Sequence, residues 1–117
     1  MMSSNAIKLS IRLDLPDGSR FGPGKAALLE AILGSGSILG AAKSLEMSYP
    51  RALRLVNEMN SQFIAPLITK YQGGSTRGGA KLSTMGVEVL QSYNRLNAMA
   101  ADSASQDLKI LAEVSKT

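Results

Sequence analysis

The chain contains no cysteine and no histidine in its 117 residues. Without cysteine there are no disulfides and no thiol nucleophiles, and without histidine there is no imidazole general base. The two absences together exclude zinc sites built on Cys or His. No catalytic, cofactor-binding or metal-ligating constellation stands out among the residues that remain, so an enzyme is not expected. There is also no apolar run of about 20 residues to span a membrane. The opening MMSSNAIKLS lacks the apolar stretch of a signal peptide. The expectation is a cytoplasmic protein without membrane partners, folded as one domain over residues 1–117 and large enough to bury a core without staples.

What is present is an uneven charge. Residues 1–36 hold four basic and three acidic side chains, residues 37–83 hold six and two, and residues 84–117 hold three and four. The formal net charge of +4 therefore arises in the middle of the chain. A basic face on an otherwise balanced domain suits a nucleic-acid partner.

The pattern of residues 7–15, IKLSIRLDL, alternates strictly and predicts a half-buried strand. PDGS supplies a turn, and Arg20–Phe21 can return as a short second strand. Pro23 suits the first turn of a helix over 23–33, which Gly34 and Gly36 should stop. Ser37 is placed to cap a second helix reaching Met47, with Ile38, Ala41, Ala42 and Leu45 on one side. Ser48 can cap a third, with Pro50 tolerated in its first turn and Ala52, Leu55, Val56, Met59 and Phe63 as its buried stripe. At 100° per residue, Pro50, Arg51, Arg54, Asn57, Glu58 and Ser61 fall on the opposite arc. LITKY and AKLS then read as the strands of a hairpin with QGGSTRGG at its tip. Thr84 is placed to cap a long helix whose stripe is Val89, Leu90, Tyr93, Leu96 and Ala100. ADSASQ interrupts the pattern and DLKILAEV resumes it with Leu108, Leu111 and Val114. A terminal amphipathic helix with more stripe than its own core needs commonly finds a second subunit.

Helix, helix, tight turn, helix and hairpin over residues 23–83 is a winged helix-turn-helix. The predicted fold is mainly α with a small β component: an N-terminal strand or hairpin over 1–22, the helix-turn-helix and wing over 23–83, and a helical dimerisation region over 84–117. A helix about 10–12 Å across fits a major groove about 12 Å wide. Arg can pair bidentately with guanine and Asn with adenine, while a helix N-terminus can hold a phosphate. The DNA-binding candidates are Ser48, Tyr49, Pro50, Arg51, Arg54 and Asn57 in the third helix, with Lys70, Ser75, Thr76 and Arg77 in the wing. Plainer readings stand beside these. Arg51 and Arg54 can form a solvated face, Arg54 pairing with Glu58 at i, i+4. Tyr49 can pack against the wing or first helix, Asn57 and Asn60 can bond locally, and the hairpin tip can contact nothing. A nucleotide-cradling role for the glycines is rejected, because no strand-to-helix phosphate loop accompanies them.

GSGSILGAAKSLEMSYPRALRLVNEMN, followed by PLI and by the paired glycines of GG…GGAKLSTMG, resembles the N-terminal DNA-binding domain of the ModE-type molybdate-responsive transcription regulators, relatives of the LysR-type helix-turn-helix. The resemblance runs from about Ile7 to Leu96. It implies a homodimeric regulator of molybdate-uptake and related genes that binds double-stranded DNA at a palindromic operator. It points to Ser48, Tyr49, Arg51 and Arg54 in the helix, and to Gly73, Gly74, Arg77, Gly78 and Gly79 in the wing. Pro50, Leu53 and STR depart from the residues usual at those places in the family. The β-barrel domains with which two-domain members bind molybdate have no counterpart here, so molybdate binding is not expected within this chain. The rival reading is a winged-helix protein-interaction module that dimerises without binding DNA.

Overall fold

The computed structural model describes residues 7–73 and 76–116, with the side chains of residues 76 and 77 outside that description. Residues 7–15 keep the alternation of the sequence, odd positions half-buried and even ones exposed. The ladder is much shorter than the pattern. Only Leu13–Asp14 (β1) pairs, antiparallel, with Arg20–Phe21 (β2), Leu13 lying opposite Phe21. Only Gly22 separates the two residues of β2 from a helix, so residues 7–12 meet no strand among the described residues to extend the sheet.

In the turn between them, the Ser19 hydroxyl donates to Asp17 Oδ1 at 2.5 Å and the Ser19 amide donates at 2.9 Å. The hydroxyl first, then the amide, hold the Asp17 carboxyl below the ordinary aspartate range. A lowered folded-state value contributes stability that is present above the unfolded pKa and lost as pH falls through the folded one. NMR titration should find Asp17 protonating below a free aspartate, and Ser19→Ala should move the midpoint up.

Helix α1, Pro23–Ser35, has proline in its first turn as expected but runs through Gly34, which the sequence suggested would help stop it. The stop is Gly36 alone. Its φ of 78° is left-handed, and its amide returns to the Ile32 carbonyl at 2.9 Å. Helix α2, Ile38–Ser44, starts at Ser37, whose side chain accepts from the Gly40 amide at 2.9 Å. It ends three residues before the expected Met47. The amides of Leu45, Glu46 and Met47 fold back on the carbonyls of Ala41, Ala42 and Lys43, and Glu46 adopts a φ of 55°. The axes of α1 and α2 differ by 118° at this corner, and their apolar residues face the core. Among the described residues no single helix is long and apolar enough to cross a membrane.

Helix α3, Tyr49–Gln62, is capped by Ser48, whose Oγ accepts from the Arg51 amide at 3.2 Å. Ala52, Val56 and Met59 are fully buried; Leu55 and Phe63 are only half-buried, so the docking stripe is narrower than predicted. Strands β3, Ile68–Gly73, and β4, Thr76–Leu82, pair antiparallel from Ile68 opposite Leu82, with an irregularity between Tyr71 and Gly73. They take up most of the segment read as a loop. Helix α4, Thr84–Ser103, is capped by Ser83 rather than by the expected Thr84: Ser83 Oγ accepts from the Gly86 amide at 3.0 Å. The ADSASQ interruption shrinks to Ala104, and α5 runs Ser105–Val114 with no buried residue.

The result is a winged helix-turn-helix, mainly α with two small antiparallel sheets. Phe21, Leu28, Leu29, Ile32, Val56, Met59 and Leu67 are its most completely buried large side chains. Phe21 sits edge-to-face against Phe63 and Tyr93, at centroid distances of 6.0 and 5.3 Å. It ties the N-terminal hairpin to the end of α3 and to α4.

Candidate nucleic-acid interface

The apolar spacing of α3 fixes which side remains in solvent. With Ala52, Val56 and Met59 turned inward, Ser48, Tyr49, Pro50, Arg51, Arg54, Asn57 and Ser61 are all exposed. The arc read from the helical projection is therefore the arc that the structure presents. Glu58, on its edge, is half-buried. Arg54 makes the predicted i, i+4 pair, its Nη1 lying 3.0 Å from Glu58 Oε2. Asn57 is exposed, whereas Asn60 faces the body and, instead of the local bonds expected of it, bonds to Leu67 and Ile68 of the next segment. Tyr49 is exposed at the first turn.

Asn60 is the joint between α3 and the wing. Its Oδ1 accepts from the amides of Leu67 and Ile68, each at 2.9 Å, and its Nδ2 donates to the Ile68 carbonyl at 3.0 Å. From the other side Ser83 Oγ donates to the Pro66 carbonyl at 2.7 Å, and its amide to the Leu67 carbonyl at 2.8 Å. Farther out, the Ala80 amide donates to the Gly36 carbonyl at 2.9 Å, tying β4 to the corner before α2. A Cβ at Gly79 would stand 2.5 Å from the Tyr71 hydroxyl and 2.8 Å from Gly36 O. This glycine is required by close packing inside the protein.

Of the wing candidates, Lys70 is exposed on β3. Ser75 lies outside the described residues, as do Gly74 and the side chains of Thr76 and Arg77. Among the described residues there is no group of three or more Asp or Glu arranged to hold a metal ion.

One constituent of this surface was not foreseen. Lys25 of α1, its side chain 13% exposed, places Nζ 3.3 Å from Glu58 Oε1 and donates to the Arg20 carbonyl at 2.7 Å. A lysine in an ordinary helical stretch carries no local signal of this, because its partner lies 33 residues along the chain.

No family model matches the chain. It is 38% identical over 84 residues to the molybdenum-pterin-binding protein MopB of Rhodobacter capsulatus, across 72% of this chain and 31% of that protein. It is 38% identical over 74 residues to the DNA-binding transcriptional dual regulator ModE of Escherichia coli, across 63% of this chain and 28% of that protein. The chain thus spans about a third of the length of the relatives it matches. Among solved structures, the DNA-binding domain of CbnR in complex with DNA superposes with a TM-score of 0.59 at 19% identity, covering 75% of this chain and 95% of that one.

Proposed function

We propose that this chain, a winged helix by fold and similar in sequence to the MopB and ModE proteins, binds double-stranded DNA and regulates transcription. The observation that carries the reading is the exposed arc of α3, with Arg51, Arg54 and Asn57 on one helix face beside a clamped hairpin, in the segment that holds the chain's excess positive charge. In this reading α3 enters the major groove, Ser48 and nearby amides meet a phosphate, and Tyr49, Pro50 and Arg51 lie along the groove wall. Lys70, Ser75, Thr76 and Arg77 of the wing lie along the adjacent backbone. The protein works in the cytoplasm, as a regulator rather than an enzyme, and its genes are those of molybdenum uptake, which the names of its relatives suggest. Oxyanion sensing is not assigned to these residues.

Binding to duplex DNA should fall steeply with salt as Lys and Arg displace counterions from phosphates. Arg54→Ala should weaken binding to a selected site by about 1–3 kcal/mol and relax preference at one base pair. Arg77→Ala should weaken binding to all sequences alike and lower the salt slope by about one. Duplex titrations at several salt concentrations separate the two patterns; no binding by the wild type would favour a protein-interaction module.

The same reading includes a homodimer on a palindromic site. Leu96 and Met99 of α4 and Ile110, Leu111 and Val114 of α5 are exposed apolar side chains that no described residue covers. A two-fold dimer would set its α3 helices about 34 Å apart, one turn of DNA. Sedimentation at micromolar concentration should give the mass of two chains, and Leu111→Glu that of one.

A further inference from the structure

We propose that Glu58 is a positioning residue, which orients Arg54 for base reading and is itself held by Lys25 of α1. The proposal rests on the DNA-binding reading above. Glu58 gives one carboxylate oxygen to each cation: Oε1 to Lys25 Nζ at 3.3 Å and Oε2 to Arg54 Nη1 at 3.0 Å. The two cations are not equivalent. Lys25 is 13% exposed and is fixed a second time by the Arg20 carbonyl, whereas Arg54 is 60% exposed on the outer arc. The carboxylate therefore connects the body of the domain to a side chain that faces outward.

An isolated i, i+4 pair on a helix surface leaves both partners free to leave each other, and it specifies little. Here one partner of the carboxylate is anchored in the body, so the position of Glu58 is determined without Arg54. Arg54 then takes its place against a fixed point. A guanidinium has five N–H donors in a planar fork. One hydrogen bond to Glu58 leaves the Nε and Nη2 side open, enough for the two parallel bonds that guanine O6 and N7 accept. Ordering a long side chain before binding removes part of the cost of ordering it on the DNA.

The negative charge has a second consequence. A carboxylate beside the backbone of DNA opposes every sequence alike, so Glu58 lowers general affinity while sharpening the choice of one base. Such opposition belongs to specificity rather than to attraction. A purely structural residue would not move these two quantities in opposite directions.

The test is selection from a pool of duplexes with randomised positions, followed by titration of the selected duplex and of a random-sequence duplex. It compares wild type with Glu58→Gln, Lys25→Met, Lys25→Arg, Arg54→Ala and the Glu58→Gln/Arg54→Ala double variant, with thermal melting as the check on folding. Expected is a preference at the Arg54-dependent base pair that falls about 3- to 10-fold in Glu58→Gln, the range that ordering one side chain supports. Random-duplex binding tightens. Lys25→Met flattens the same base pair, Lys25→Arg restores it, and Glu58→Gln adds nothing in the Arg54→Ala background. If Glu58→Gln proves too unstable to assay, the Lys25→Met and Lys25→Arg pair decides the outcome by the same readout. Unchanged preference at that base pair overturns the proposal, as does equal flattening at every position or an additive double variant. Failure of the wild type to bind any duplex overturns the DNA-binding reading and this proposal with it, and it is seen before any variant is compared.

Discussion

Phe21→Ala should cost this domain about 3–5 kcal/mol, the range for removing a buried phenylalanine from a packed core. Phe21 is fully buried, and it meets two rings edge-to-face, an arrangement that contributes beyond area burial. Those rings belong to the end of α3 and the middle of α4, and Phe21 belongs to β2, so one deletion loosens three parts of the fold. A domain of this size typically has about 5–15 kcal/mol in all. Urea unfolding should show the midpoint falling steeply, with melting lowered by about 4–8 °C for each kcal/mol lost. Phe21→Leu, which keeps most of the volume, should cost under about 1.5 kcal/mol if packing is the cause. Equal losses in the two variants would mean that the ring contacts, rather than the filled space, matter most.

The second large effect is expected at Asn60. Asn60→Ala removes three hydrogen bonds and leaves the amides of Leu67 and Ile68 and the carbonyl of Ile68 without their partner. Each group left unsatisfied in a buried setting costs about 1–3 kcal/mol. The site is only part-buried, so water recovers some of this, and a total of about 2–4 kcal/mol is expected. Asn60→Asp keeps the acceptor for both amides and loses only the donor to Ile68, so it should cost less than alanine. Hydrogen exchange separates this from a general loss of stability: the Leu67 and Ile68 amides should lose protection in Asn60→Ala before those of α1 do.

The elements were legible wherever a local rule governs them. Alternation gave the exposure of residues 7–15, Ser37 and Ser48 are caps because a hydroxyl follows a turn and precedes a helix, and the inward spacing of α3 determined its outward arc. Errors came where the partner decides. Residues 7–12 carry a strand pattern but meet no strand among the described residues, α2 stops at Ser44 because Leu45–Met47 bond backwards, and Gly34 stays helical because Gly36 supplies the left-handed turn. Capping at α4 passed from Thr84 to its neighbour Ser83, a difference of one residue that no pattern resolves. In the candidate interface, Arg54 with Glu58 was visible at i, i+4. Lys25 and the wing joint at Asn60 were not, because both depend on contacts between segments that only folding brings together.

Among the described residues, the links that orient the wing are Asn60 to Leu67 and Ile68, Ser83 to Pro66 and Leu67, and Ala80 to Gly36. Amide, hydroxyl and peptide groups make all of them, and none carries a charge. Ionic strength acts on charges, over a Debye length of about 8 Å in physiological salt. In the DNA-binding reading proposed above, changing salt weakens or strengthens the hold on a polyanion while leaving the angle between helix and hairpin where neutral bonds set it. Grip and shape are separately adjustable: surface arginines and lysines can be added or removed to tune the first without redrawing the second.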